Sequence, residues 1–269
     1  MNSITSVPAL SIAGMVFSAL ISVCAVVPAF IYGKRTLGGS VKSCLIGVGT
    51  FILFALVLEG LVHNLVYPTT AGQKIWSNTW LYALYGGAAA AIFEETGRIF
   101  AAKVFLRRKL ATPEGFMYGV GHGGVEAIVV GAVTQISNIS LALLINAGGA
   151  KTLLGALSGA QYDAAAEQLG ALCSADGAAF FLAGYERVLA VAVHICLSLI
   201  MFRGLREHKP ALCVLCYVLH FALDAITVLV NSAFGIYAVE AFLTVFVLLT
   251  VLLTGKLAPL PRRSEETEL

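Results

Sequence analysis

Charged residues are scarce in this chain. Asp, Glu, Lys and Arg make up only 12% of its 269 residues, whereas hydrophobic residues make up 59%. Ordinary soluble chains carry about 25% charged residues, so the composition excludes an ordinary soluble domain and predicts a protein that crosses a membrane several times. The net charge of +2 gives no indication of nucleic-acid binding. The positions of the charges are more informative than their sum.

Two further features are missing. The first apolar run, residues 7–32, has no basic segment before it and is too long for the core of a signal peptide, so we expect it to be retained as the first helix. Cys213 and Cys216 have the spacing of a zinc-binding pair, but they lie in an apolar run and the chain lacks a second such pair. A metal or redox role for the cysteines is therefore disfavoured.

Seven apolar runs are long enough to span a membrane as helices, which takes about 20 residues each. The prediction is an all-α, polytopic transmembrane helix bundle with short interfacial helices within residues 139–176. Residues 1–258 are expected to form a single transmembrane helical domain, followed by a short, charged cytoplasmic tail at 259–269. The predicted spans are 7–32, 43–67, 79–106, 115–138, 178–203, 210–231 and 235–255.

Basic residues cluster in alternate connections between these runs. Because cytoplasmic loops of membrane proteins carry an excess of Lys and Arg, we predict a multi-pass protein of the cell membrane, with its N-terminus outside and its C-terminus in the cytoplasm. The clusters follow the first, third, fifth and seventh runs, and they contain Lys34, Arg35, Lys42, Arg107, Arg108, Lys109, Arg203, Arg206, Lys209, Lys256, Arg262 and Arg263.

Ionisable residues inside the predicted spans are the strongest functional signal. The third run contains Glu94, Glu95 and Arg98, and a charged side chain at the centre of a membrane helix costs about 2.5–3.5 kcal/mol to insert. Such residues persist where they face a protein interior or a water-filled cavity. Three other spans contribute to the set: His122 and Glu126 in the fourth, Glu186, Arg187 and His194 in the fifth, and His220 and Asp224 in the sixth.

The predicted orientation brings several of these groups to one depth. At 1.5 Å per residue, four of them lie roughly 12–18 Å from the cytoplasmic boundary: Glu94, His122, His194 and His220. Helices that run in opposite directions therefore carry their ionisable side chains to a common level. The pair of Glu59 and His63 lies near the outer end of the second run and is expected to be structural or interfacial rather than catalytic.

The residue types suit hydrolysis of an amide by an activated water. A carboxylate beside a neutral imidazole can deprotonate a water held between them, and a second imidazole can donate to the developing oxyanion. Asp224, one turn from His220, can fix the tautomer of that imidazole. Arg98 can keep Glu94 or Glu95 ionised despite burial, because a nearby positive charge opposes the effect of desolvation.

Two other functions use the same residue types. Two histidines and one carboxylate could hold zinc in a metal-dependent membrane hydrolase, although the chain has no His-Glu-x-x-His or His-x-x-Glu-His motif. Intramembrane Asp, Glu and His also form proton relays in ion- or proton-coupled transporters. The chain lacks the inverted repeats and paired broken helices of the common transporter folds.

Four motifs, taken in order, resemble those of the YhfC-type membrane peptidases. These are themselves similar to the CAAX-protease and bacteriocin-processing glutamic intramembrane proteases. The motifs are Glu-Glu-x-x-Arg from Glu94, Gly-His-Gly-Gly-x-Glu from Gly121, Glu-Arg at Glu186 with a histidine seven residues after Arg187, and His-x-x-x-Asp from His220. The resemblance covers about residues 10–255.

The resemblance implies that Glu94 is the water-activating base with His122 as its partner, and that His220 and Asp224 form the oxyanion side. The first motif is one residue shorter than the Glu-Glu-x-x-x-Arg usual in the superfamily, so Glu95 remains a second candidate for the base, and we favour Glu94. Residues predicted to support the site are Arg98, Glu126, Glu186, Arg187 and His194.

The predicted function is that of a glutamic-type intramembrane peptidase. It would cleave a membrane-embedded or lipidated peptide in a cavity toward the cytoplasmic side. The prediction includes no cofactor and no metal ligand, with zinc as the alternative.

Overall fold

Helices form every regular element that the computed structural model contains in residues 6–107 and 109–260, which are the residues that the structure describes. Arg108, Arg262, Arg263 and most of the predicted tail lie outside these ranges. The helices are α1 (Ala9–Cys24), α2 (Val26–Arg35), α3 (Val41–Phe51), α4 (Gly60–Val66), α5 (Thr70–Ser77), α6 (Thr79–Val104), α7 (Thr112–Glu126), α8 (Thr134–Asn146), α9 (Ala150–Gly155), α10 (Ala160–Ser174), α11 (Gly177–Arg206), α12 (Pro210–Phe234) and α13 (Ile236–Leu257).

Six helical stretches are long and apolar enough to cross a membrane, judged by length and composition alone. The predicted third span corresponds to the single 26-residue helix α6, which is about 39 Å long but is not among these six stretches, so that its crossing of the membrane stays a prediction. Its two glutamates and its arginine make it more polar than the others. The all-α, polytopic architecture is confirmed. The six stretches are Ala9–Arg35, Val41–Val66, Thr112–Asn146, Gly177–Arg206, Pro210–Phe234 and Ile236–Leu257.

The fourth span is longer than the sequence predicts. Its helix continues to Asn146, whereas the predicted run ends at residue 138. Isolated polar residues such as Asn138 and Ser140 lower the hydropathy without interrupting the helix, so hydropathy alone places the end too early. The rest of the long connection contains two short helices, α9 and α10.

Local chemistry sets where α6 and α12, two of the helices that carry site residues, begin. The side chain of Asn78 accepts a hydrogen bond from the backbone N–H of Leu81 at 3.0 Å, which caps the start of α6. The first residue of α12 is Pro210, whose missing N–H is not needed in a first turn. These starts determine the level at which Glu94 and His220 lie along their helices.

Two π-helical segments, Ile52–Glu59 and Ala127–Val133, interrupt the second and fourth spans. A π turn contains more residues than an α turn, so it rotates the side chains that follow it, and such segments are frequent at functional sites. The first ends at Glu59, and the second begins directly after Glu126. Both segments therefore adjoin an ionisable side chain.

Contacts divide the chain into two compact units. Unit 1 comprises Met1–Cys24 and Ala127–Val188, and unit 2 comprises Ala25–Glu126 and Leu189–Leu269. That all of residues 1–258 form a single domain stays a prediction. In unit 1, the side chain of Asn146 accepts from the N–H of Val7 at 2.7 Å and donates to its carbonyl at 3.0 Å, which fixes the start of the described chain. The apolar core of this unit contains Val7, Met15, Ala142, Ile145, Leu169 and Leu172.

Close backbone contacts hold unit 2 together. Helices α3 and α7 form one extensive pair, and α6 and α12 form another. A Cβ atom added at Gly47 would lie 2.3 Å from the carbonyl oxygen of Tyr118, and one at Gly87 would lie 2.9 Å from that of Phe221. Small residues allow such approaches in membrane bundles. The site residues on α6, α7 and α12 are therefore held by backbones in direct contact.

Candidate functional site

Three ionisable side chains of α6 are buried in unit 2. The exposed fraction is 7% for Glu94 and 0% for both Glu95 and Arg98. Buried charges are found in proteins when they are paired and hydrogen-bonded. The partners of each group therefore decide what it can do.

Glu95 is bound from two sides. Arg98, one turn later on the same helix, donates a hydrogen bond to Oε1 of Glu95. Nδ1 of His220, on α12, lies 2.8 Å from the same oxygen. Because an ionised carboxylate only accepts, His220 carries the proton of this contact on Nδ1. Glu95 thus joins α6 to α12 and holds the ring of His220 in one orientation.

Glu94 faces three imidazoles from three other helices. Its Oε2 lies 2.8 Å from Nε2 of His122 on α7. The same oxygen lies 3.9 Å from Nδ1 of His194 on α11 and 3.9 Å from Nε2 of His220. The two longer distances exceed direct hydrogen bonds, so this oxygen retains capacity to accept from a further group.

His194 is held in a single tautomer. Nη2 of Arg98 lies 3.1 Å from its Nδ1, and a guanidinium can only donate, so Nδ1 accepts. The ring proton is therefore on Nε2, which lies 2.5 Å from Oε2 of Glu126. The sequence predicts a supporting role for His194 and Glu126, and the structure places them beside Glu94 and His122.

Asp224 is more loosely placed than the other acidic residues of the cluster. Its Oδ2 lies 3.5 Å from Nε2 of His220, and its side chain is 37% exposed. His220 itself is only 4% exposed. His220 therefore has a carboxylate at each ring nitrogen, Glu95 at Nδ1 and Asp224 at Nε2.

Glu186 and Arg187 belong to unit 1, whereas the rest of the predicted set belongs to unit 2. Within their unit they form an ion pair with each other. Glu59 and His63 form a separate chain of contacts, with Nε2 of His63 3.2 Å from Glu59 and Nδ1 2.8 Å from the hydroxyl of Tyr85.

Sequence reasoning misses the aromatic surroundings of His122. The ring of Phe51 stands edge-on to that imidazole at 5.2 Å, and the rings of Tyr118 and His194 lie 5.8 and 4.9 Å away. Tyr118 lies one turn before His122 on α7, a spacing from which the contact could have been predicted. Phe51 comes from a different helix, and no spacing in the chain connects it to His122.

The cluster also contains a possible metal-binding set. Glu94, His122 and His194 are buried, and each offers a ligand atom within 4.8 Å of those of the others. Two imidazoles and one carboxylate are a common donor set of catalytic zinc. Glu126, against Nε2 of His194, matches the carboxylate that often orients a metal-binding histidine. The residues therefore fit a divalent ion, although Arg98 already donates to Nδ1 of His194.

The arrangement as a whole combines a carboxylate oxygen with spare accepting capacity, three surrounding imidazoles and a buried guanidinium. These groups can orient a small polar molecule, accept a proton from it and donate to an oxygen that becomes negative. That is the set of tasks needed to hydrolyse an amide with water.

Comparisons with known proteins agree with this chemistry. The family described as YhfC intramembrane metalloprotease matches residues 17–251. The chain is also 34% identical, over 191 residues, to the uncharacterised membrane protein YhfC of Bacillus subtilis (strain 168), an alignment that covers 71% of this chain and 73% of that protein. No solved structure matches the chain. The matched range of the family contains all the site residues named above.

Proposed function

Because the chain belongs to the YhfC intramembrane metalloprotease family, we propose that it hydrolyses peptide bonds by means of a water activated at Glu94. The observation that carries this proposal is the position of Oε2 of Glu94. That single oxygen faces His122, His194 and His220 at 2.8, 3.9 and 3.9 Å. A water beside it would have both a proton acceptor and imidazoles within reach.

Each residue has a task in this proposal. Glu94 takes a proton from water as the water oxygen adds to the substrate carbonyl, and it passes that proton to the amine when the C–N bond breaks. The N–H of His122 keeps the carboxylate of Glu94 in position. His220 already has its Nδ1 proton directed at Glu95, so it donates from Nε2 to the carbonyl oxygen of the substrate when the ring is protonated. Arg98 binds Glu95 and His194 at once and so fixes the groups around the water.

The proposal has a glutamic form and a metal-dependent form. In the glutamic form Glu94 is the base and no ion takes part. The donor set of Glu94, His122 and His194 favours the second form, in which these residues would hold zinc. A bound zinc ion would supply Lewis-acid polarisation of the reacting oxygen. Glu126 would then orient His194, and Arg98 would have to release its contact with Nδ1 of that ring.

We extend the proposal to the orientation of the protein in the membrane and to the kind of peptide that it cleaves. The basic connections support a protein of the cell membrane whose N-terminus is outside and whose site opens toward the cytoplasm. The location of the site within a bundle of span-length helices supports a membrane-embedded or lipidated peptide as the substrate.

Cleavage measured with the isoelectronic variant Glu94→Gln tests the proposal. The full-length protein is reconstituted in liposomes with a library of single-span peptides, and the products are identified by mass spectrometry. Glu94→Gln should reduce turnover at least about 100-fold, because it removes the proton acceptor. Glu240→Gln, at a buried glutamate outside the cluster, is the control. Wild-type turnover in Glu94→Gln would exclude this residue as the reactive group.

The zinc content of the purified protein and the effect of a chelator distinguish the glutamic form of the proposal from the metal-dependent form. In the metal-dependent form the purified protein contains about one zinc per chain, His122→Ala and His194→Ala lose it, and a chelator abolishes cleavage until zinc is restored. In the glutamic form cleavage proceeds at the same rate with and without the chelator, and the zinc content is unrelated to activity.

A further inference from the structure

An open cleft in unit 2 shares no lining residue with the cluster around Glu94. Its volume is about 620 Å³, and its walls come from the last turns of α6 and α11, the segment after α6 and the first turn of α12. Two of the six stretches long enough to cross a membrane end or begin here, since α11 ends at Arg206 and α12 starts at Pro210. The cleft therefore lies at a membrane boundary.

Positive charge dominates the lining of the cleft. Lys103, Arg107 and His208 line it, and no carboxylate does so among the described residues. The acidic residue of the adjoining turn, Glu207, is already occupied by Lys209 and Arg203, each at 2.8 Å. These two hydrogen bonds lower the pKa of the Glu207 carboxyl to about 2. The positive charges of the cleft are left available for a ligand.

The backbone around the cleft also favours a negatively charged ligand. Pro210, at the start of the 25-residue helix α12, lines the cleft, and the N-terminal end of a helix carries partial positive charge that favours anions. His208 has a φ of +53° and is the one described residue other than glycine in the left-handed region. This conformation ends α11 and turns the chain toward the start of α12 beside the cleft.

The rest of the lining is apolar. Ile99, Ala102, Leu110 and Leu205 form the wall between the basic residues. Beside the cleft, Val104, Phe105 and Val214 are 48, 56 and 60% exposed, which marks a surface that faces lipid chains. A small soluble anion would not use such a wall. A molecule with a phosphate group and acyl chains would contact both the basic residues and the apolar wall.

We propose that this cleft binds the headgroup of an anionic phospholipid, with its phosphate at Lys103 and Arg107 and its upper acyl chains along Ile99 and Leu205. Basic side chains beside a membrane surface each contribute to binding of anionic lipid. This site is separate from the cluster around Glu94, and the proposal does not depend on the peptidase activity.

Lipid binding to the full-length protein in neutral detergent tests the assignment. Apparent affinities for phosphatidylglycerol and phosphatidylcholine are measured by native mass spectrometry. The wild type should prefer phosphatidylglycerol by roughly tenfold or more, and Lys103→Gln with Arg107→Gln should abolish that preference. Lys103→Arg with Arg107→Lys should retain it, since both positive charges remain.

The control pair is Lys74→Gln with Lys151→Gln, which removes the same charge from exposed positions elsewhere. If this pair loses the preference equally, net charge rather than the cleft is responsible and the proposal is wrong. A preference that persists in the Lys103 and Arg107 variant also overturns it. Displacement of phosphatidylglycerol by inorganic phosphate would assign the cleft to a free anion instead of a lipid.

Discussion

At the scale of single residues, two adjacent glutamates have different environments. Glu95 is fully buried and bound by both Arg98 and His220. Glu94 has one direct partner, His122, and two more distant imidazoles. Neighbouring positions on a helix point about 100° apart. Glu95 therefore faces the contact between α6 and α12, and Glu94 faces the imidazoles of three histidines.

The variant Glu95→Gln should be less stable than the wild type by about 3 kcal/mol, because it leaves the buried charge of Arg98 without its counter-charge. Thermal and denaturant unfolding in detergent would measure the loss. Glu94→Gln is the matched control, since its amide oxygen can still accept from His122, and it should unfold within about 1 kcal/mol of the wild type. Greater destabilisation by Glu94→Gln would contradict these assignments.

Sequence spacing identifies the members of the cluster but not their partners. His122 and Glu126 are four residues apart, which suggests that they share a helix face. The structure pairs Glu126 with His194 and His122 with Glu94. Both pairs join different helices, and the packing that creates them has no local pattern in the chain. The choice between Glu94 and Glu95 depends on such contacts for the same reason.

At the scale of elements, glycines on α3 and α7 set how closely those helices approach. A Cβ atom at Gly121 would lie 1.9 Å from the carbonyl oxygen of Cys44, and one at Gly47 would lie 2.3 Å from that of Tyr118. Both contacts involve backbone atoms, which cannot move aside as a flexible side chain can. The two positions therefore require glycine.

Gly47→Ala should destabilise the protein by about 3 kcal/mol or displace α7, because the added methyl group overlaps the backbone. Gly49, two residues later on α3, has open space around its Cα. Gly49→Ala should therefore leave the stability unchanged or raise it by up to about 1 kcal/mol through helix propensity. Equal melting temperatures for the two variants would contradict the close contact between Gly47 on α3 and the backbone of Tyr118 on α7.

The end of α11 contains a backbone conformation that favours glycine. The N–H of Lys209 bonds to the carbonyl of Gly204 at 2.8 Å, which closes the helix in the manner of a Schellman motif with His208 in the left-handed position. We expect His208→Gly to be about 1 kcal/mol more stable than His208→Ala, since both remove the imidazole and only alanine keeps the strain. Chemical denaturation compares them, and a more stable alanine variant would refute the strain.

Element boundaries follow the sequence where polar residues or proline mark them. Pro210 starts α12 where the sequence predicts, and α6 starts at the predicted residue after its cap Asn78. The π-helical segments give no comparable signal, since Ile52–Glu59 is as apolar as the helix around it. Their extra residue per turn is a response to packing between helices, which hydropathy does not encode.

At the scale of the whole molecule, the proposed orientation depends on α6 crossing the membrane. With α6 as a span, seven crossings put the termini on opposite sides, as the basic connections require. With six crossings they would lie on the same side. The sides of the membrane on which the connections before and after α6 lie therefore distinguish seven crossings from six.

Single cysteines introduced in a cysteine-free background should show on which side of the membrane each of these connections lies. Gln73→Cys, before α6, should react with an impermeant thiol reagent in intact cells, whereas Lys109→Cys, after α6, should react only when the membrane is opened. Both native side chains are exposed. Lys42→Cys serves as a second cytoplasmic position. Labelling of residues 73 and 109 from the same side would eliminate α6 as a span.

The polarity of α6 has a consequence for how the protein is made. Arg98 and Glu95 bind each other within α6, but the other partners of these charges are His122, His194 and His220, and all three lie later in the chain, so α6 leaves the ribosome before any of them exists. Alone, each charge opposes insertion by about 2.5–3.5 kcal/mol. We expect α6 to enter the bilayer late, together with α7, α11 and α12, so that the buried polar contacts of the cluster also decide the order of membrane assembly.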